Sequence, residues 1–310
     1  MRAWFGLPVF LAGLVSVPGC YIDDFGVFDR YTKDFHYSYP LKPAGRLSVE
    51  TFNGTVEVSG WDQETVDISG TKTGPRQDAL DTLKIEITNS PDAVSIRAVR
   101  PTEFRRGWGA RFSIKVPRRA VLEVIQTSNG QIRVVDGSGP ARFRTSNGAI
   151  RVQALEGGLD AQTSNGMVEL TDVNGEAMVR TSNGRIHVDN LKGPLQARTS
   201  NGSVTATLAA GAANGSVRLD TSNGGVDLRL PPKFSNEVRV SSSNGPITLH
   251  LPSEVNARVM ARTSNASVTS DFQVRTEGEF RKSRLEGEIG TGGPLLDLNT
   301  SNASIRLLRM

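Results

Sequence analysis

RTSNGAIRV, residues 144–152, decides the fold, because nearly the same words return as QTSNGMVEL at 162–170, RTSNGRIHV at 180–188 and RTSNGSVTA at 198–206. With the Thr of each TSN as origin, copies begin at Thr127, Thr145, Thr163, Thr181 and Thr199, a constant interval of 18 residues. Later copies begin at Thr221, Ser242, Thr263 and Thr300, and a looser one, TFNGTVEV, at Thr51. A fixed period of this length is the mark of a repeat architecture and has to be read before anything else.

Five residues after each origin the chain carries Val56, Ile132, Ile150, Val168, Ile186, Val204, Val226, Ile247, Val268 and Ile305, all apolar and β-branched. Two further on stand Val58, Val134, Val152, Leu170, Val188, Ala206, Leu228, Leu249, Ser270 and Leu307, and between the two columns lie residues such as Arg133, Arg151, Glu169 and His187. Apolar and polar positions alternate with period two, the pattern of a half-buried strand. A second strand ends just before each TSN, with apolar pairs such as Ala141 and Phe143, Leu159 and Ala161, or Ala177 and Val179. Each unit is therefore two short strands and two turns, the second turn marked by Gly157-Gly158, Asn174-Gly175 or Gly193-Pro194.

Two all-β architectures can use such a unit. Asn-Gly between alternating strands is a strong hairpin signal, so an antiparallel β-meander is one reading. The other is a β-solenoid, β-helix-like, of about a dozen coils, in which equivalent strands of successive units stack at about 4.8 Å and the protein covers its own core. A meander of so many strands with one apolar face needs a second layer, and no segment shows the helical period to supply it. A constant coil length is a requirement of the solenoid alone. We therefore expect the solenoid, with glycine after Asn accommodating a left-handed or bent corner. Asn129, Asn147, Asn165, Asn183, Asn201, Asn223 and Asn244 would form an amide ladder along that corner. The same stripe of hydroxyls and amides has a second reading, as a flat surface that binds a sugar.

Composition bounds the rest. Aromatics are 6% of 310 residues, there are 32 glycines, and a net charge of +4 is spread through the chain rather than massed, which disfavours nucleic acid as a partner. The first twenty residues, MRAWFGLPVFLAGLVSVPGC, hold Arg2, an apolar run from Ala3 to Val17, and then Cys20, the single cysteine of the chain. The run is too short to span a bilayer and reads as an export signal. Val17-Pro18-Gly19-Cys20 resembles a bacterial lipobox, which implies lipidation of Cys20 and attachment to the cell envelope, at the outer membrane if the cell has two; simple cleavage leaving a free thiol is the alternative. The acidic residue directly after the cysteine that resembles an inner-membrane retention signal is missing. The expected organisation is a signal peptide over 1–20, an aromatic-rich tether and N-terminal cap over 21–45, and a repeat domain over 46–310. Within that domain we expect irregular coils at 46–120, regular coils at 121–270 and closing coils at 271–310.

NGTVEVSGWD (53–62), VPRRAVLEVIQTSNGQIRV (116–134), the TSNG units and GEIGTGGPLLDLNTSNASIRLL (287–308) together resemble the bacterial envelope family of β-strand-repeat proteins called putative adhesins, a domain of unknown function. The resemblance covers residues 46–310 and implies a β-solenoid at the cell envelope. It brings no catalytic motif.

Residues 21–45 hold Tyr21, Tyr31, Tyr37 and Tyr39 with Phe25, Phe28 and Phe35, more than a bare tether requires. Covering the first coil is one use for them and docking a partner is another. PTEFRRGWGARF, 101–112, breaks the rhythm and offers Arg105, Arg106, Trp108 and Arg111 as a loop that could grip an anionic glycan or lipid headgroup, or whose Trp simply packs on the solenoid wall. A second charged excursion, 276–293, is placed to help close the far end.

One catalytic reading is available. Arg151, Glu169 and His187 would sit side by side on neighbouring coils, either as the acid, base and cation of a polysaccharide-active site or as an ordinary charge ladder. His36, His187 and His250 are not spaced to share a metal, Asp136, Asp172 and Asp189 do not share one offset that would build calcium turns, and no cofactor-binding motif occurs. The expectation is a non-catalytic, lipid-anchored scaffold with glycans or envelope proteins as partners, the alternatives being the enzyme above or a regulatory, stress-sensing envelope module.

Overall fold

The computed structural model describes residues 30–101, 107–210, 215–276 and 281–310. Cys20, Tyr21, Phe25, Phe28, Arg105 and Arg106 lie outside the described residues. Among the described residues the regular elements are strands, apart from one 3-10 turn at Leu80–Thr82.

The strands fall into two stacks. The front stack runs, in spatial order, Tyr31–Pro40, Thr65–Gly74, Gly109–Pro117, Val56–Trp61, Ile132–Ser138, Ile150–Glu156, Val168–Asn174, Ile186–Lys192, Val204–Leu208, Val226–Arg229, Ile247–Leu251, Ile305–Arg309, Val268–Ser270. The back stack runs Lys84–Ser90, Ala93–Val99, Arg46–Glu50, Val121–Gln126, Ala141–Arg144, Leu159–Gln162, Ala177–Arg180, Leu195–Arg198, Val217–Thr221, Val238–Ser242, Leu295–Thr300, Ala257–Thr263, Arg284–Ile289, Val274–Thr276. At one strand spacing per coil the front stack is roughly 58 Å long.

Successive coils pair in parallel. Ile150 is level with Ile132 on one side and Val168 on the other, and Phe143 with Ile125 and Ala161. The solenoid is thus the fold, and the meander reading is corrected: the strands on either side of each TSNG belong to different stacks, so Asn-Gly turns a corner between stacks and joins no hairpin. All the residues of the first apolar column are buried, Val56 through Ile305, as are those of the second except half-buried Ser270. With Phe143, Ala161, Val179, Ala197 and their equivalents they form one continuous core.

The coil has one more corner than the sequence suggests. Asp136, Ala154, Asp172 and Asn190, each nine residues past its origin, have φ between 54° and 56°. This left-handed residue bends the front strand, interrupts the pairing for one position, and swings Leu155, Val173 and Leu191 into the core on a short third side.

The stack order also departs from chain order at both ends. The coil at 46–61 is enclosed between 93–117 and 121–138. At the other end 295–309 is enclosed between 238–251 and 257–270. The final coil of the chain therefore does not close the stack, as a strictly successive winding requires. Antiparallel strands instead take the outermost positions of both stacks at one end, Thr65–Gly74 with Tyr31–Pro40 and Lys84–Ser90, and of the back stack at the other, Arg284–Ile289 with Val274–Thr276, where the front stack ends in the parallel strand Val268–Ser270. Stack ends leave backbone groups unpaired, and a returning strand covers them. Phe35, Tyr37 and Tyr39 of the first strand pack on the core, with the Phe35 ring 5.5 Å from that of Phe112 in an edge arrangement.

Candidate binding edge

The TSN corner is held by three interactions repeated from coil to coil. The first is the amide ladder. Asn129 Nδ2 donates to Asn53 Oδ1 at 2.6 Å, Asn147 to Asn129 at 2.6 Å, and Asn165, Asn183, Asn201, Asn223 and Asn244 each to the preceding one at 2.7 Å. Asn302 then donates to Asn244 at 2.7 Å and Asn265 to Asn302 at 2.6 Å, following spatial rather than chain order. Sequence reasoning missed Asn53, Asn265 and Asn302 as rungs, although their TFN and TSN contexts carried the signal.

The second interaction is buried. Thr163 Oγ1 donates to Gly148 O of the adjoining coil at 3.0 Å and accepts from Gly166 N at 3.2 Å. Thr145, Thr181, Thr199 and Thr221 repeat the arrangement. These hydroxyls satisfy backbone groups that would otherwise be buried without partners.

The third is an approach so close that only glycine permits it. A Cβ on Gly148, Gly166 or Gly184 would stand 1.7 Å from the carbonyl oxygen of the equivalent glycine one coil away. Of the left-handed or bent corner expected at these glycines the structure has the bent form, and none of them has a left-handed φ. The residue is required by contact between coils and not by conformational freedom.

What remains on the outside is regular. Ser128 and Asn129, Ser146 and Asn147, Ser164 and Asn165, Ser182 and Asn183, and Ser200 and Asn201 are exposed pairs at successive coil spacings. An Asn amide has two N–H donors and two acceptor lone pairs, and the ladder uses one of each, so each coil keeps a donor, an acceptor and a serine hydroxyl for a ligand.

At its N-terminal end this edge meets residues 107–112, the described part of the excursion. They lead into the front strand Gly109–Pro117, and Asn53 Nδ2 donates to Trp108 O at 2.8 Å. Trp108 is only 2% exposed and packs into the core, so its ring is a wall component and not a stacking platform. Arg111 is exposed on the adjacent front strand. It lines a polar groove of about 520 Å³ together with Arg30, Thr71 and Thr73.

The row Arg151, Glu169, His187 is assembled on the front face by parallel register. Arg151 Nε donates to Glu169 Oε2 at 3.1 Å, which makes these two a cross-coil ion pair about two-fifths exposed. On the back face Arg144 makes a two-pronged hydrogen-bonded pair with Asp160, and Arg180 stands 3.8 Å from the same carboxylate. The Arg144 hydrogen bond holds the Asp160 carboxyl below its ordinary range, outweighing the opposing effect of partial burial. Among the described residues no group of three or more His, Cys, Asp or Glu side chains is gathered in a way that could hold a metal ion.

Among solved structures, one of a putative adhesin from Bacteroides fragilis NCTC 9343 is similar, with 16% identity, 70% of this chain and 96% of that chain covered, and a TM-score of 0.48. A putative cell adhesion protein from Clostridium sporogenes ATCC 15579 matches with 11% identity over 90% of this chain and 100% of that chain, at a TM-score of 0.22. No curated protein matches the chain. The family model described as Toastrack DUF4097 matches residues 44–251, more than half of the sequence and nearly all of the regular coils, and the chain belongs to that family.

Proposed function

We propose that this protein is a lipid-anchored, adhesin-like scaffold of the cell envelope, whose polar TSN edge binds glycans or other envelope proteins. The observation that carries the reading is the edge itself: a regular row of exposed Ser-Asn pairs tied together by the amide ladder, each holding unspent donors and acceptors at one coil spacing. An extended polar ligand meets the same three groups at every step, and the ladder fixes them beforehand, which lowers the ordering cost of binding. Attachment is assigned to Cys20, since an acylated N-terminal cysteine supplies enough buried CH₂ groups for stable anchoring.

The test replaces Ser146, Ser164, Ser182 and Ser200 together by Ala, which strips exposed hydroxyls and leaves the ladder and the buried threonines intact. On a glycan array and in binding to isolated envelope proteins, we expect at least a tenfold loss. Wild-type-like binding by the quadruple variant would remove the edge from consideration. For the anchor, metabolic labelling with a fatty acid should mark the wild type and leave Cys20→Ser unlabelled.

A second reading uses the assembled row of Arg151, Glu169 and His187 as a polysaccharide-active site. Turnover of an envelope or plant polysaccharide that disappears in Glu169→Gln would establish it; absence of turnover in either form would retire it.

A further inference from the structure

The geometry points to a phosphate-binding site in the groove at the N-terminal end of the solenoid, built by Arg30, Thr32, Thr71, Thr73 and Arg111. The groove meets the N-terminal end of the Ser-Asn row, whose rungs Asn53 and Asn129 also line it, but the site is built on the arginines and threonines and does not depend on that row binding anything.

The groove exists because its floor lacks side chains: Gly54, Gly107, Gly109 and Gly130 line it, and a Cβ on Gly54 would strike Ala110 O at 2.1 Å. Its walls come from three adjacent strands. Thr32 lies directly opposite Thr73, and Thr71 directly opposite Arg111, so the four side chains share the outward face of the sheet. Arg30 enters from the residue preceding the first strand. Among the described residues the lining has two guanidinium groups and no carboxylate, and neither Arg30 nor Arg111 has an ion-pair partner. Of the acids on this face, Asp34 sits beside the groove opposite Thr71 and accepts the Thr71 hydroxyl at 2.7 Å, and Glu57 lies on the strand next to Arg111, level with Ser113. Thr32 and Thr73 retain their hydroxyl protons for a ligand.

Two guanidinium forks with two hydroxyl donors and no competing carboxylate in the lining form the donor set that suits phosphate oxygens, through charge-assisted and bidentate hydrogen bonds. A carboxylate presents fewer acceptors to the same set. Polar and apolar surfaces both border the groove, and its volume of about 520 Å³ lies in the range of small-molecule sites. The phosphate can belong to a soluble phosphate ester or to a lipid headgroup. The second source is within reach, since the ten peptide links from Cys20 to Arg30 span at most about 36 Å.

The experiment uses the full chain carrying Cys20→Ser, so that no acyl chain contributes to binding. Inorganic phosphate is titrated by calorimetry, and binding to vesicles of phosphatidylglycerol is compared with binding to vesicles of phosphatidylcholine. We expect saturable binding of phosphate, of phosphatidylglycerol vesicles, or of both, weakened at least tenfold in Arg30→Gln/Arg111→Gln and unchanged in Arg133→Gln, an exposed arginine outside the groove. Phosphate binding without vesicle binding identifies a soluble ligand; selective binding of phosphatidylglycerol identifies the headgroup. Thermal unfolding of each variant at the wild-type temperature shows that the fold is intact. The proposal fails if neither probe binds at millimolar concentration, or if the double variant binds as the wild type does.

Discussion

Asn147 donates its side-chain amide to Asn129 at 2.6 Å, although the two are a full coil apart in the chain. Each Asn is donor to one neighbour and acceptor from the other, so a substitution in the middle breaks two bonds. Asn165→Ala should cost about 1 to 2 kcal/mol, the worth of two solvent-exposed hydrogen bonds. Asn165→Asp should cost more, because a carboxylate placed against Asn147 Oδ1 has no proton to give. Urea unfolding midpoints check both.

The corner glycines offer a sharper contrast. Gly166→Ala drives a methyl group into the Gly148 carbonyl and should destabilise by about 3 kcal/mol or more, in the range of severe overpacking. Gly158→Ala meets Glu176 O at an ordinary 3.4 Å and should stay within about 0.5 kcal/mol. Equal effects in denaturant unfolding would contradict the contact argument.

Thr163 is 3% exposed and its hydroxyl serves both a carbonyl and an amide. Thr163→Val keeps the shape and orphans both groups, with an expected loss of about 2 kcal/mol. Thr163→Ser, which keeps the hydroxyl, should recover most of that loss in the same assay.

Ala154 is the misfit of the left-handed column, where its neighbours on either side are Asp136 and Asp172. Alanine adopts this conformation at a cost of about 1 to 2 kcal/mol, whereas asparagine tolerates it. The Asn190 side chain already donates to Asp172 in the same column. Ala154→Asn should therefore raise stability by about 1 kcal/mol, seen as a higher unfolding midpoint.

The Arg144 pair sets a pH dependence. Because the folded-state pKa of Asp160 lies below its unfolded value, the unfolded chain binds more protons in that interval and stability rises with pH across it. The contribution is fully present above the ordinary aspartate range of about pH 4 and is lost as pH falls through the depressed folded value. The stability difference between wild type and Asp160→Asn should shrink over that window and hold steady above it.

The sequence made the period, the buried columns and most of the ladder legible because each coil repeats one physical environment, and ten copies average out local noise. The period alone makes Ile150 and Val168 neighbours, and they are level in adjoining strands. The left-handed corner escaped notice because Asp136, Ala154, Asp172 and Asn190 share a conformation and not a side chain. The glycines were legible as necessary, but their reason lies in an inter-coil distance that no single repeat encodes. The groove was half visible: Arg111 stood out in the excursion, while Arg30, Thr32, Thr71 and Thr73 come together only through antiparallel pairing that the repeat does not announce. The enclosed end coils were hidden for a related reason, since Thr51 and Thr300 carry the ordinary motif and nothing in it says which neighbour they meet.

That enclosure governs how the molecule is made and unmade. A slot must stand open between 238–251 and 257–270 until residues 295–309 arrive, so the stack is completed only after that segment has been delivered. This segment then acts as a latch, joined by ladders on both flanks, and offers no loose edge from which unravelling can start. A protein assembled this way sets slowly and holds fast: its long-range closure delays folding, and the same closure makes fraying from an end expensive.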